Sequence, residues 1–220
     1  GAGVEHDGTD AAPALVQSWY LGQEHGHAVA DVLTGAVDPG GRLPMTWGRR
    51  VEDWRSHDGY PGQDGQVHYG EGLLVGYRGF DADGTEPAFC FGHGLTYGAT
   101  VWSAAEGLPA SLTAAALRSG VGFEVPVAAT GERPATEVVQ CYVGPPPGHD
   151  GRPVRELRAF AKVRLAPGET ARAALRLDDR AFSRWDPAAG GFVLVEGMHD
   201  IWIGRSSRDL LEHLQVMVLP

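Results

Sequence analysis

Several things are scarce in this chain of 220 residues, and each scarcity excludes something. Basic residues are outnumbered, 18 against 28 acidic ones, giving a formal net charge of −10. A nucleic-acid backbone or an anionic membrane surface demands clustered Lys and Arg, so neither is expected as a partner. No apolar run approaches the ~20 residues needed to cross a bilayer as a helix. There are two cysteines, Cys90 and Cys141. Their separation of roughly 50 residues has no metal-type spacing and reads as two free thiols. No signal peptide is visible in the first residues, which already read as folded domain. The compartment is therefore not set by the sequence; a cytoplasmic location is the slightly favoured expectation, with secretion as the alternative. Internal repeats and low-complexity tracts are missing too, as are a G-x-S-x-G nucleophile elbow and a Cys/His catalytic spacing. No cofactor or metal is expected.

What is present is ample apolar material, 43% of residues, enough for one large domain or two small ones. The pattern divides in two. From Gly1 to about Trp47 it is mixed α/β. Thr9 or Asp10 is placed to cap a helix carrying Leu15, Val16, Trp19 and Tyr20, which Gly22 ends. A second helix is expected from about Glu24, with Ala28, Val29, Val32 and Leu33 on one face and Gly35 as its C-terminal glycine. Asp38-Pro39-Gly40-Gly41 is a turn, and Arg42 to Trp47 a short extended run.

Between Gly48 and Gly98 periodicity is weak, and Gly, Asp and Pro are dense. So long a stretch is either a functional loop or an elaborate packing arm. From about Val101 the period becomes two: Phe123, Val125, Val127; Val139, Cys141, Val143; Ala173, Leu175, Leu177; Ile201, Ile203; Leu214, Val216, Val218. Pro167-Gly168, Gly190-Gly191 and Glu196-Gly197 separate the runs. This predicts an antiparallel sandwich of about seven strands that closes its own core.

Five linked segments carry a family resemblance. Trp19 to Gly35, continuing through Pro39-Gly40-Gly41-Arg42-Leu43-Pro44-Met45-Thr46-Trp47, is the first. Tyr69-Gly70-Glu71-Gly72-Leu73-Leu74-Val75-Gly76-Tyr77-Arg78 and Pro87-Ala88-Phe89-Cys90-Phe91-Gly92-His93-Gly94-Leu95-Thr96-Tyr97 follow. Glu137 to Val143 is the fourth, and the last joins Arg152-Pro153-Val154-Arg155-Glu156-Leu157 to Lys162 through Glu169. Together they resemble glycoside hydrolase family 3, β-glucosidase-like, over nearly the whole chain. Departures from the family pattern fall at packing and turn positions: Leu21, Cys90, Cys141 and Ala129.

The resemblance implies a fold class of α+β followed by all-β. Residues 1–100 would be the C-terminal segment of an α/β sandwich domain with a long loop, and Gly1 to Glu5 the tail of one of its strands. Residues 101–220 would be an immunoglobulin- or fibronectin type III-like sandwich. It further implies a retaining exo-glycosidase acting on terminal β-linked sugars, whose two carboxylates sit ~5–5.5 Å apart across the scissile bond. The family nucleophile lies in an S-D-W-like motif on a TIM barrel, and the acid/base Glu lies earlier in the second domain than Gly1 would map. No S-D-W-like motif occurs here, so no catalytic residue is expected in these 220 residues. The partners implied are the barrel, the first part of the α/β domain and, through the complete enzyme, a β-glycoside.

Four residues remain as candidates near the sugar or an interdomain contact: Tyr69, Glu71, Arg78 and Glu24. The plainer readings are an interdomain hydrogen bond for Glu71, dipole stabilisation at a helix N-terminus for Glu24 and a loop-holding salt bridge for Arg78. His25 and His27 are two apart on a helix, where side chains diverge, so they do not form a metal pair. Gly92-His93-Gly94 lacks the strand-then-helix setting of a phosphate loop. The rival to an enzyme portion is a free-standing carbohydrate- or protein-binding sandwich. Such a module has no use for the α/β segment.

Overall fold

In the computed structural model, residues 11–148 and 151–220 are described. The expected capping residues Thr9 and Asp10, and the strand tail Gly1 to Glu5, lie outside them. Among the described residues there are three α-helices, α1 (His25–Thr34), α2 (Tyr77–Asp83) and α3 (Ala114–Ser119). Ten strands follow the pattern break: β1 (Thr100–Trp102), β2 (Ser111–Thr113), β3 (Val121–Ala129), β4 (Ala135–Val143) and β5 (Glu156–Leu165), then β6 (Thr170–Leu177), β7 (Ser183–Asp186), β8 (Gly191–Leu194), β9 (Gly197–Gly204) and β10 (Leu210–Leu219).

The strands build a five-stranded sheet, ordered β2-β10-β9-β4-β5, facing a three-stranded sheet, β1-β3-β6. The β7-β8 hairpin stands apart. Between the two sheets the alternating residues read from the sequence pack together. Phe123, Val125 and Val127 bury with Val139, Cys141 and Val143, and with Ala173, Leu175 and Leu177. Ile201, Ile203, Val216 and Val218 complete the layer. At about 25 cal/mol per Å² of apolar surface, this layer is the main stabilising term of the fold.

Three expectations need correction. Residues 14–21 form no helix. Eight residues between Pro13 and Gly22 are too few to hold a helix on propensity alone, and Trp19 takes φ 53° and meets Trp47 edge-on at 6.2 Å. Among the described residues the strands number ten rather than about seven, and β2 pairs with β10 in parallel rather than antiparallel. Two short helices also stand where none was expected. For α3 the signal was present: Thr113 Oγ1 accepts from the Ala116 amide at 3.2 Å, an N-cap ahead of an alanine run. The second expected helix does form, as α1, and ends at Gly35 with φ 75° and a bond from its amide to the Val32 carbonyl at 3.0 Å.

One strand is unlike the rest. All nine residues of β4 are buried, which an outer sheet face in solvent could not give. The second face of β4 is covered by the aperiodic segment. Tyr77 stacks on Phe91 at 4.6 Å, and both Phe91's stacking partner Tyr77 and Tyr142 of β4 meet edge-on at 6.1 Å. Gly40 and Gly92 lie so close to β4 that a Cβ on either would overlap Thr136 or Gln140 respectively. This close approach is why those turn positions are glycine.

A chain beginning at Val101 keeps the inter-sheet core but exposes Val138 and Tyr142. Its unfolding free energy should fall by on the order of 3 kcal/mol or more, since each such side chain is worth ~1.5–3 kcal/mol when buried. Chemical denaturation of the truncated and full chains measures this; equal midpoints and slopes would contradict it.

Candidate functional site

The aperiodic segment is ordered by pairing its own motifs. The Arg42 to Trp47 run lies against Phe89 to His93, with the Leu43 amide on the His93 carbonyl, the Gly92 amide on the Leu43 carbonyl and the Trp47 amide on the Phe89 carbonyl, each at 2.8 Å. Asp38 in the turn accepts from the Thr96 hydroxyl and the Tyr97 amide at 2.7 Å. The Tyr97 hydroxyl reaches back to the Val32 carbonyl of α1 at 2.7 Å. Two stretches that sequence alone presents as separate motifs are thus one structural unit.

Two carboxylates pin that unit to the sandwich. Glu137, at the start of β4, is 1% exposed. It receives Arg42 at 2.8 Å, Arg205 at 3.0 Å, the Thr100 hydroxyl at 2.7 Å and the Val138 amide at 3.0 Å. Burial alone opposes its ionisation. The Thr100, Arg205 and Val138 donors, with the Arg42 charge, outweigh burial and hold the carboxyl below its ordinary range. Asp81 of α2 is ion-paired with Arg155 at 3.0 Å and Arg208 at 2.9 Å. There burial dominates and holds the carboxyl above its ordinary range despite both arginines. The buried Tyr77 hydroxyl accepts from the Leu157 amide of β5 at 2.9 Å. Sequence reading did not single out Glu137, Arg205 or Asp81. The available signal was an acid heading an apolar run, Glu137-Val138-Val139, since a buried charge needs partners.

The four candidate residues are placed differently. Arg78 turns toward the sandwich and pairs with Glu156 at 3.0 Å. Glu24 precedes α1 and bonds to His27 at 2.8 Å. His25 meets the Ser18 hydroxyl at 3.1 Å, and no cluster of three metal-ligating side chains occurs among the described residues. Tyr69 is 80% exposed. Glu71 lines a hollow of about 40 Å³ beside Trp54, Arg55 and Phe80. Its backbone carbonyl accepts from Leu74, but its carboxylate makes no hydrogen bond or ion pair with a described residue. Tyr69 and Glu71 are therefore near in sequence and uncommitted internally, while Arg78 and Glu24 are engaged.

Large exposed apolar side chains concentrate in this same half. They include Tyr20, Leu33, Tyr60, Tyr69, Leu73 and Leu95. Scattered single exposures need no explanation, but so many in one half of a chain mark a face that meets something. Cys90 and Cys141 are both free. Cys90 donates to the Ser206 hydroxyl at 3.3 Å, while burial pushes the Cys141 thiol up to about 12.

A β-sandwich whose outer face is clad by a long motif-bearing segment is a two-part assembly. The family model for the glycosyl hydrolase family 3 C-terminal domain matches residues 2–97, and that for the fibronectin type III-like domain matches residues 137–207. The chain belongs to glycoside hydrolase family 3 and carries these two of its domains. It is 41% identical to a β-glucosidase of Rhizobium radiobacter over 90% of its own length and 24% of that protein's. It is 38% identical to β-glucosidase B of Emericella nidulans over 98% of its length and 26% of that protein's. Among solved structures, the β-glucosidase from Kluyveromyces marxianus in complex with glucose superposes with a TM-score of 0.88 at 33% identity, covering 99% of this chain and 25% of that one. DesR, a β-glucosidase from Streptomyces venezuelae in complex with D-glucose, gives 0.83 at 33% identity, over 91% and 26%. The chain thus spans about a quarter of the length of the relatives it matches.

Because the Glu137 carboxyl is depressed in the folded state, its stabilisation is complete above the unfolded carboxyl range and is lost as pH falls through the folded value. Glu137→Gln should cost about 3 kcal/mol at neutral pH, as breaking a buried pair does, and should flatten the acid limb of the stability profile. Urea melts across the acid range check this; an unchanged acid limb would contradict it. Cys141 should resist a thiol reagent in the native chain and react only after unfolding, which peptide mapping of labelled protein decides.

Proposed function

We propose that this chain works as the C-terminal portion of a retaining exo-glycosidase, β-glucosidase-like, that hydrolyses terminal β-linked sugars. In this reading residues 1–100 close an α/β domain and residues 101–220 form the sandwich that braces it. The nucleophile and the acid/base group come from a barrel and the first part of the α/β domain, outside these 220 residues. Retention needs both carboxyls at ~5–5.5 Å on opposite sides of one bond, so the 220 residues alone are inactive.

The observation that carries the reading is the exposed apolar and aromatic face of the first half, with Tyr20 fully exposed and Tyr69 at 80%. Faces of this kind in a stable fold belong to an interface. The match of residues 2–97 to the glycosyl hydrolase family 3 C-terminal domain argues against a free-standing binding sandwich, which has no use for that half. Tyr69 and Glu71 are assigned to the face that meets the barrel, either beside the sugar or as an interdomain contact. Arg78 and Glu24 are assigned to supporting that face.

Glu71→Gln in the complete enzyme separates the two roles. A carboxylate hydrogen bond to sugar, worth ~1.5–3 kcal/mol, shows as lower kcat/KM with unchanged Tm. An interdomain strut shows as lower Tm with activity reduced only indirectly. No change in either overturns the assignment. The 220-residue chain should show no turnover of aryl glycosides, and activity that copurifies with it in proportion to its amount would refute the reading.

A further inference from the structure

The stretch from Arg152 to Leu157 resembles a family motif, yet nothing in the proposed function uses its charge. Glu156, at the head of β5, is the focus of three arginines. Its Oε1 lies 3.0 Å from Arg78 Nη2, and its Oε2 lies 2.6 Å from Arg158 and 3.8 Å from Arg152. A fourth, Arg184 on β7, pairs with Asp186 at 3.3 Å and stands within electrostatic reach of Arg152. Among the described residues, four guanidinium groups therefore face two carboxylates, an excess of two positive charges in a chain of net charge −10.

The hydrogen bonding is incomplete in the same place. Arg78 Nε, Arg152 Nη1 and Arg158 Nε have no acceptor among the described residues. Such donors ordinarily find a partner, protein or otherwise. The Arg152 side chain is 16% exposed. Burial, with Arg158 and Arg184 nearby and Glu156 in opposition, holds that guanidinium below its ordinary range. Arg78 and Arg184, at 36% and 44%, are the members open to solvent. The cluster thus joins two largely buried cations, Arg152 and Arg158, to two that solvent reaches.

We propose that the convergence of Arg78, Arg152 and Arg158 on Glu156, with Arg184 beside Arg152, forms an oxyanion site that takes a phosphoryl dianion, free or carried on a sugar. The two excess charges match the −1.5 to −2 of a phosphate group near neutral pH, about twice the charge of a single carboxylate. The planar fork of guanidinium donors matches phosphate geometry and can engage two oxygens at once.

The test uses the full 220-residue chain. Thermal unfolding and phosphorus-31 line widths are followed as sodium phosphate is added, with sodium chloride at matched ionic strength as control. A saturable rise in Tm with phosphate and none with chloride is expected, because a ligand that binds only the folded state stabilises it by mass action. Tighter binding of glucose 6-phosphate than of inorganic phosphate identifies a sugar-borne group; equal binding identifies the free ion; both support the site. Arg184→Gln should weaken phosphate binding by about threefold to tenfold, without shifting the Tm measured in its absence. Arg152→Gln should weaken it further, and Arg184→Gln stands as the decisive variant if Arg152→Gln does not fold. An equal rise with chloride, acetate binding as tightly as phosphate, or wild-type binding by Arg184→Gln overturns the proposal.

Discussion

The structure depends on a buried carboxylate. Glu137 lies near the start of β4, between β9 and β5 in the larger sheet, and gathers Arg42 from the first half, Thr100 from the join and Arg205 from the end of β9. Taking such a charge out of water costs several kcal/mol unless it is paired and fully hydrogen-bonded. That condition is met only when all three segments are in place together. The pair is therefore a poor source of net stability but a strict specification of arrangement. With Arg42 fixed, the run from Leu43 to Trp47 is fixed, and with it the partner stretch from Phe89 to His93. Asp81 repeats the device at α2 with Arg155 and Arg208.

This arrangement explains how a segment with little regular structure stays ordered. Its order comes from the face of β4 that a free sandwich would give to solvent. Tyr77, Phe91 and Tyr142 form an aromatic layer there, and the glycines of the turns admit the backbone at close range. The segment in turn directs Tyr69, Leu73 and their neighbours outward. The sandwich is thus a platform, and the motif-bearing segment is what it presents outward.

Much of this was legible in the sequence, for identifiable reasons. Strict alternation at Phe123, Val125 and Val127 can only mean one buried face, and Gly35 after an apolar helical face marks an end. The false helix at Leu15 to Tyr20 arose because apolar spacing was counted over too short a window, where propensity without packing decides nothing. The double burial of β4 was invisible because alternation reports one face at a time. Val138, Gln140 and Tyr142 look like the solvent side until the covering segment is known. For the candidate site, the engagement of Arg78 in a salt bridge could be anticipated from its basic chemistry beside a long loop. Its partner Glu156, 78 positions away in sequence, could not.

The central claim is that the aperiodic segment and the sandwich form one cooperative unit through β4. Native-state amide hydrogen exchange of the full chain tests it most directly. The amides of Leu43, Trp47, Gly92 and Leu157, bonded across the join or within the paired motifs, should share the opening free energy of β4, since residues of one cooperative unit open together. If those of the segment exchange freely while β4 remains protected, the segment is an attached arm, and the account built on Glu137 is wrong.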